Sequence, residues 1–309
     1  ALLEILDRAR DAGVEPWVSC LGTTGSGEKL FAKAFGADYH TVETVAHAEA
    51  ARQYLRRQSK TVDYTVLDIG GQDMKAIRVQ NGVVTNITLN EACSAGCGSF
   101  LESYVESLSI PVARIAEHAF SSAAPSSLGS RCTVFMNSSI ITEQKNGKST
   151  NDILAGLCRS IIENVFTKVV RLRNTRELGA AVVAQGGTLR NDAVLRALEE
   201  YAGVPVIRPD VPGLMGAVGI ALLARRASSH PQPSDPATPD RAGREQASRG
   251  GAGGSRFIGR RGLEEFSFET QEGVICRGCS NSCSRTIITF AEGRSFVTGN
   301  RCERGELDQ

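Results

Sequence analysis

Apolar residues along the first three quarters of the chain follow two spacings. Short runs rich in β-branched and apolar residues at 16–20, 65–69, 75–79, 83–89, 181–184 and 205–208 predict strands. Apolar positions three and four apart, bounded by Gly or Pro, predict helices over 2–12, 27–35, 46–58, 99–107, 152–172, 191–201 and 213–226. Strands interleaved with helices predict an α/β fold with helices packed on a mixed sheet. The pattern stops after Arg226: residues 227–256 are Pro, Ser, Gly, Ala and charge. Such a stretch buries too little surface to offset its ordering entropy, and it is expected to be a disordered linker. Residues 257–309 are Cys-rich and too few for an ordinary core, so a bound metal or cluster is expected to hold them.

Composition narrows the classes. The 309 residues are 41% hydrophobic, ample for one or two cores. The 35 Lys and Arg nearly cancel the 34 Asp and Glu, which leaves no broad attraction for a polyanion and no nucleic-acid partner expected. There is no run of eighteen apolar residues, and the first ten residues have helix periodicity instead of a charged segment before an apolar block. Neither a membrane span nor a secretory leader is therefore expected. Four of the nine cysteines crowd one C-terminal stretch, which points to metal-bound thiolates in a reducing cytoplasm and away from disulfides.

Several glycine-containing stretches carry the candidate chemistry. Asp68 ends a predicted strand and is followed by Gly70, Gly71, Gln72 and Asp73 before the next strand. Such a turn can aim backbone N–H groups at phosphate oxygens while Asp68 holds Mg²⁺ through water, or it can be a plain β-hairpin with an acidic turn. Gly186 and Gly187 close a second strand before a helix, and Gly216 lies in the last predicted helix. Glycines there admit a nucleoside against the backbone, or allow close helix–strand packing. Cys93 lies in a Gly-rich segment opening a helix, where free amides stabilise a thiolate or an anionic cluster. Cys20 and Cys158 fit apolar packing, Cys97 fits packing or a spare thiol that could serve as an alternative ligand, and His47 fits a packing role on its helix. The turn Thr23–Gly27 reads equally as structural or as a weak phosphate contact.

In order and spacing, Asp68-Ile-Gly-Gly-Gln-Asp73, Asn90-Glu-Ala-Cys93-Ser-Ala-Gly-Cys-Gly-Ser-Phe100, Cys132-Thr-Val-Phe135 and Gln185-Gly-Gly187 resemble the ATP-dependent activators of 2-hydroxyacyl-CoA dehydratases, the BadF/BadG/BcrA/BcrD ATPase family. The resemblance covers about residues 14–226 and includes the longer activase-like subgroup. It implies the acetate and sugar kinase, heat-shock protein and actin superfold of two ribonuclease H-like lobes. The first lobe would be truncated at its N-terminus, with its remainder at 1–67 and the second lobe at 68–226. It further implies ATP with Mg²⁺, Asp68 and Gln72 in catalytic positions, and Gly70, Gly71, Asp73, Gly186, Gly187 and Gly216 around the nucleotide. One [4Fe-4S] cluster would be held by Cys93 and Cys132 of each subunit across a homodimer axis. ATP would drive a low-potential electron from it to a dehydratase-type or related reductase partner. After Phe135, Met136, Asn137, Ser138 and Ser139 replace the acidic residues usual in that family.

Cys276, Cys279, Cys283 and Cys302 fall outside the resemblance to the ATPase lobes. Four thiolates at this spacing suit either Zn²⁺ or an iron-sulfur cluster. Two other functions remain compatible with the superfold. A carbohydrate kinase would show sugar-dependent ATP turnover without iron, and a nucleotide-incompetent scaffold would fail to bind ATP.

Overall fold

The structure is a computed structural model that describes residues 2–58, 61–90, 97–130, 133–171, 174–229, 255–291 and 293–307. Cys93, Cys132 and most of the expected linker at 227–256 lie outside the described residues. The chain divides into two units, Ala1–Val42 with Ile220–Gln309, and Glu43–Gly219.

The N-terminal part of the first unit holds α1 (Leu2–Asp11), β1 (Gly22–Thr23), α2 (Glu28–Phe35) and β2 (Tyr39–His40). The strand expected at 16–20 does not form; pairing is confined to a two-residue parallel ladder between β1 and β2. Pro16 offers no amide to a ladder and Trp17 is 67% exposed, so nothing draws this run into a sheet. The Thr23 and Thr24 hydroxyls donate to the Glu28 and Thr41 carbonyls, at 2.9 and 2.7 Å, and brace the turn that follows.

The second unit runs α3 (Glu43–Gln58), β3 (Tyr64–Ile69), β4 (Met74–Gln80), β5 (Val83–Asn90), α4 (Gly98–Ser107), α5 (Ile115–Phe120), α6 (Thr133–Lys145), α7 (Thr150–Asn164), β6 (Val182–Gln185), α8 (Asp192–Ala202) and β7 (Val206–Ile207). It continues into α9 (Met215–Ser229), whose later residues belong to the first unit. Its five strands lie in the order β5-β4-β3-β6-β7, antiparallel across β5, β4 and β3 and parallel across β3, β6 and β7. Every residue of β3 and of β6 is buried because both faces of the sheet are covered. One face packs Leu67, Ile69, Met74, Val182 and Ala184 against α4, α7 and α8. The other packs Val66, Ile77, Val79 and Val183 against Ala51 and Leu55 of α3.

The helix expected over 152–172 starts at Thr150 behind a capping box, with Ser149 and Asp152 bonding each other's backbone. Bonds from Ser122, Ser149 and the Ala124 amide hold the Asp152 carboxyl well below the usual carboxylate range. Its contribution to stability is therefore complete above the ordinary aspartate pKa and is lost as pH falls through the lowered folded value. Residues Val165–Val170 widen into π geometry, and Arg171 ends the helix at φ 48°. The pattern did not predict α5 or α6; in α6, buried Met136 and Ile140 are interleaved with exposed Phe135 and Ile141, which blurs the helical stripe.

The first unit is completed by α10 (Gly259–Glu264), β8 (Phe268–Ile275), β9 (Ser284–Phe290), β10 (Ser295–Thr298) and a short α11 (Arg304–Leu307). The three strands form an antiparallel meander in the order β8-β9-β10. This block has an apolar anchor that its composition did not suggest. Phe266 packs with tilted rings against Phe35 of α2 at 5.0 Å and Phe290 at 5.9 Å, and Asp38 accepts hydrogen bonds from the Ser255 hydroxyl and the Arg256 amide. No helix among the described residues is long and apolar enough to cross a membrane.

Cysteine exposure sets a chemical order. Cys97 and Cys158 are core residues, and burial pushes the Cys158 thiol up to about 12. Cys279 and Cys302 are exposed. Native alkylation at neutral pH is expected to label Cys279 and Cys302 within minutes and to leave Cys97 and Cys158 unlabelled until denaturant is added. Peptide mass spectrometry checks this; early labelling of Cys158 would contradict the packing.

Candidate functional site

Strand alternation builds the site. On β3, Tyr64, Val66 and Asp68 face α3; on β4 the same face carries Lys75, Ile77 and Val79, and on β6 it carries Val183 and Gln185. Each row is apolar along most of its length and polar where the strands reach their turns. In register, Asp68 pairs with Lys75 on one side and with Gln185 on the other. Two residues of α3, Glu43 and His47, are spaced four apart on one helix face and close over this end.

The contacts are dense. Lys75 is 3% exposed, and its ammonium meets Asp68 Oδ2 at 3.4 Å, Glu43 Oε1 at 3.1 Å and the Asp73 carboxylate. Burial alone would push the Lys75 pKa down; the bond to Asp73, the charge of Asp68 and the bond to Glu43 outweigh it and hold the pKa above the ordinary lysine value. His47 Nε2 stands 3.4 Å from the same Asp68 oxygen, and its Nδ1 is 2.7 Å from Gln185 Oε1. The Gln185 amide in turn donates to the His47 carbonyl at 3.4 Å. That bond assigns Oε1 as acceptor, so Nδ1 is the donor of the pair. Lys75 and His47 Nε2 both lie against Asp68 Oδ2, and it is the buried cation that aims the carboxylate.

Around Asp68 the glycines divide into two kinds. Gly186, at φ 93°, leaves no room for a side chain because an added Cβ would overlap the backbone of Ile69. Gly71 and Gly187 face open space, with nothing within 4 Å of an added Cβ. Gly213 approaches Gly187, its added Cβ lying 3.5 Å from the Gly187 Cα. Two turns, one after β3 and one after β6, thus present open backbone beside a buried carboxylate. This is the arrangement expected of a phosphate cradle.

The expected site residues are placed unevenly. Asp68, Gly70, Gly71, Gln72, Gly186 and Gly187 come together at the ends of β3 and β6, with the Gln72 side chain exposed. Asp73 serves the turn, its carbonyl accepting the Gly70 amide at 2.9 Å while its carboxylate pairs with Lys75. Gly216 lies against His47, with an added Cβ 3.2 Å from Nε2. Lys75, Glu43 and Gln185 were not foreseen. Lysine in an apolar strand, opposite an aspartate across a short turn, was the available signal for the first of them.

Cys93 and Cys132 lie outside the described residues, and α6 begins at Thr133, directly after Cys132 in sequence. A helix start supplies unpaired amides, which suit an anionic thiolate cluster. The C-terminal cysteines Cys276, Cys279, Cys283 and Cys302 all lie among the described residues. The Cys276 amide donates to the Cys283 carbonyl at 2.9 Å across the β8–β9 hairpin. Among the described residues, however, no three His, Cys, Asp or Glu side chains are gathered to hold a metal ion.

The profile of the BadF/BadG/BcrA/BcrD ATPase family matches residues 1–224. The (R)-2-hydroxyglutaryl-CoA dehydratase activating ATPase of Acidaminococcus fermentans is 38% identical over 166 residues, 54% of this chain and 62% of the relative. The 2-hydroxyisocaproyl-CoA dehydratase activator of Clostridioides difficile is 35% identical over 161 residues, 52% of this chain and 59% of the relative. The chain thus spans about three fifths of the length of these relatives. Among solved structures, component A of the A. fermentans dehydratase matches with a TM-score of 0.63 at 32% identity, covering 74% of this chain and 83% of that one. The C. difficile activator with bound ADPNP matches at 0.61 and 29% identity, covering 76% and 85%. These likenesses bear out the expected actin-like superfold in its mixed α/β form. With the motifs, the sheet order and the profile in agreement, the chain belongs to the BadF/BadG/BcrA/BcrD ATPase family.

Proposed function

We propose that this chain binds ATP with Mg²⁺ at the turns Gly70–Asp73 and Gly186–Gly187 and couples its hydrolysis to activation of a 2-hydroxyacyl-CoA dehydratase-type or related reductase partner. The observation that carries the reading is the buried Asp68 carboxylate, held by Lys75 with His47 alongside, beside the open glycines Gly71 and Gly187. The ADPNP in the C. difficile activator and the names of the relatives support it. Phosphoryl hydrolysis needs positioned charge more than covalent chemistry, and a rigidly aimed carboxylate with backbone amides supplies both. Asp68 would hold the Mg²⁺ through water, and Gln72, exposed on the turn, would orient the attacking water. Cys93 and Cys132 of two subunits would hold one [4Fe-4S] cluster in a homodimer, which when bound supplies low-potential one-electron chemistry.

Two measurements test the reading. Asp68→Asn is expected to cut ATP turnover by about 100-fold or more, because the misaimed group still packs but no longer positions the reacting atoms. Iron and acid-labile sulfide, assayed after anaerobic purification, should fall by about half a cluster per protomer in a Cys93→Ala, Cys132→Ala variant. Unchanged turnover in the first variant refutes the nucleotide site; unchanged iron in the second refutes the electron-transfer role.

A further inference from the structure

One carbonyl joins three segments of the second unit. The Gly70 oxygen accepts the Gly98 amide of α4 at 3.0 Å and the Thr188 hydroxyl at 2.9 Å. Beside it, the Gly71 oxygen accepts the Ser99 amide at 2.9 Å. The first amides of a helix have no partner within the helix and are usually met by a side chain at the N-cap. Here the N-cap residue, Cys97, makes no such bond. The turn after β3 performs that task for α4. Gly98 is also pressed against Thr188, since an added Cβ would overlap Oγ1. Thr188 is itself buried, 8% exposed, one residue beyond Gly187.

We propose that Thr188 is a positioning residue that transmits the state of the nucleotide site to the first turn of α4, a role that rests on the nucleotide reading above. The Gly71 and Gln72 amides would face the ligand, and the Gly70 and Gly71 carbonyls in the same two peptide planes hold α4. A peptide plane that tilts to meet a phosphate tilts its carbonyl by the same angle, and hydrogen bonds weaken steeply with misalignment. Thr188 ties the turn after β6 to that same carbonyl, so both nucleotide turns act on one point. The helix start they control, Gly98, is five residues after Cys93 in sequence.

Amide hydrogen exchange across residues 97–107 of the intact protein, with and without a non-hydrolysable ATP analogue and Mg²⁺, tests the role. In the wild type the analogue is expected to slow exchange at Gly98 and Ser99 by about tenfold or more. Thr188→Val keeps the shape and removes the donor. It is expected to bind the analogue within about threefold of wild type yet to show less than about twofold protection, and Thr188→Ser should restore the response. A merely structural loss would speed exchange equally in both states and leave the difference intact, which would overturn the proposal. So would wild-type binding without protection at Gly98 and Ser99. Absence of analogue binding by the wild type would instead overturn the nucleotide reading itself.

Discussion

Lys75→Met is expected to destabilise the second unit by roughly 3–5 kcal/mol, the range found when one partner of a buried ion pair is removed and its counter-charge is stranded. The effect should be large because Lys75, 3% exposed, is shared by Asp68, Asp73 and Glu43. For a unit of this size the melting temperature should fall by roughly 6–20 °C. Urea unfolding at neutral pH checks this. A deficit below about 1 kcal/mol would show that Lys75 does not neutralise the cluster.

The two adjacent glycines after β6 should respond in opposite ways. Gly186→Ala places a side chain at φ 93° and drives its Cβ into the Ile69 backbone, a neighbour that cannot move without breaking the β3–β6 ladder. Strain of about 1–3 kcal/mol from the dihedral adds to the clash, and a loss above about 4 kcal/mol is expected. Gly187→Ala meets nothing within 4 Å and should change stability by no more than about 0.5 kcal/mol. Its added methyl would occupy the open backbone instead, and affinity for ATP with Mg²⁺ should fall about tenfold, equivalent to about 1.4 kcal/mol. Chemical unfolding and calorimetric titration of both variants separate the outcomes. Wild-type affinity in Gly187→Ala would remove this surface from the binding site, and a stable Gly186→Ala would contradict the packing around Ile69.

Much of this was legible in order and little of it in depth. The strands β3 to β6 follow from uninterrupted β-branched runs, and the Gly-Gly pairs after Asp68 and Gln185 point to the two turns. What linear spacing could not give was the face. Asp68, Lys75 and Gln185 become neighbours only once register and strand order are known, and His47 reaches them only because α3 lies across that face. His47 read from sequence as a packing residue; its ring is packed and also bonded to Gln185. The run at 16–20 misled because apolar content was counted without a partner strand. Thr188 carried no signal at all, since its role depends on a carbonyl 118 residues away.

The division of the first unit between the chain's two ends has a consequence for synthesis. The second unit is continuous, so it can fold as soon as it has left the ribosome. The first cannot: Lys33 of α2 bonds the Ser295 carbonyl 262 residues later, and Phe35 waits for Phe266. At about 5–20 residues per second that wait lasts on the order of 10–50 s. Throughout it Phe31 and Phe35 have no aromatic partner beyond each other, and the nascent chain offers a chaperone an early, apolar handle.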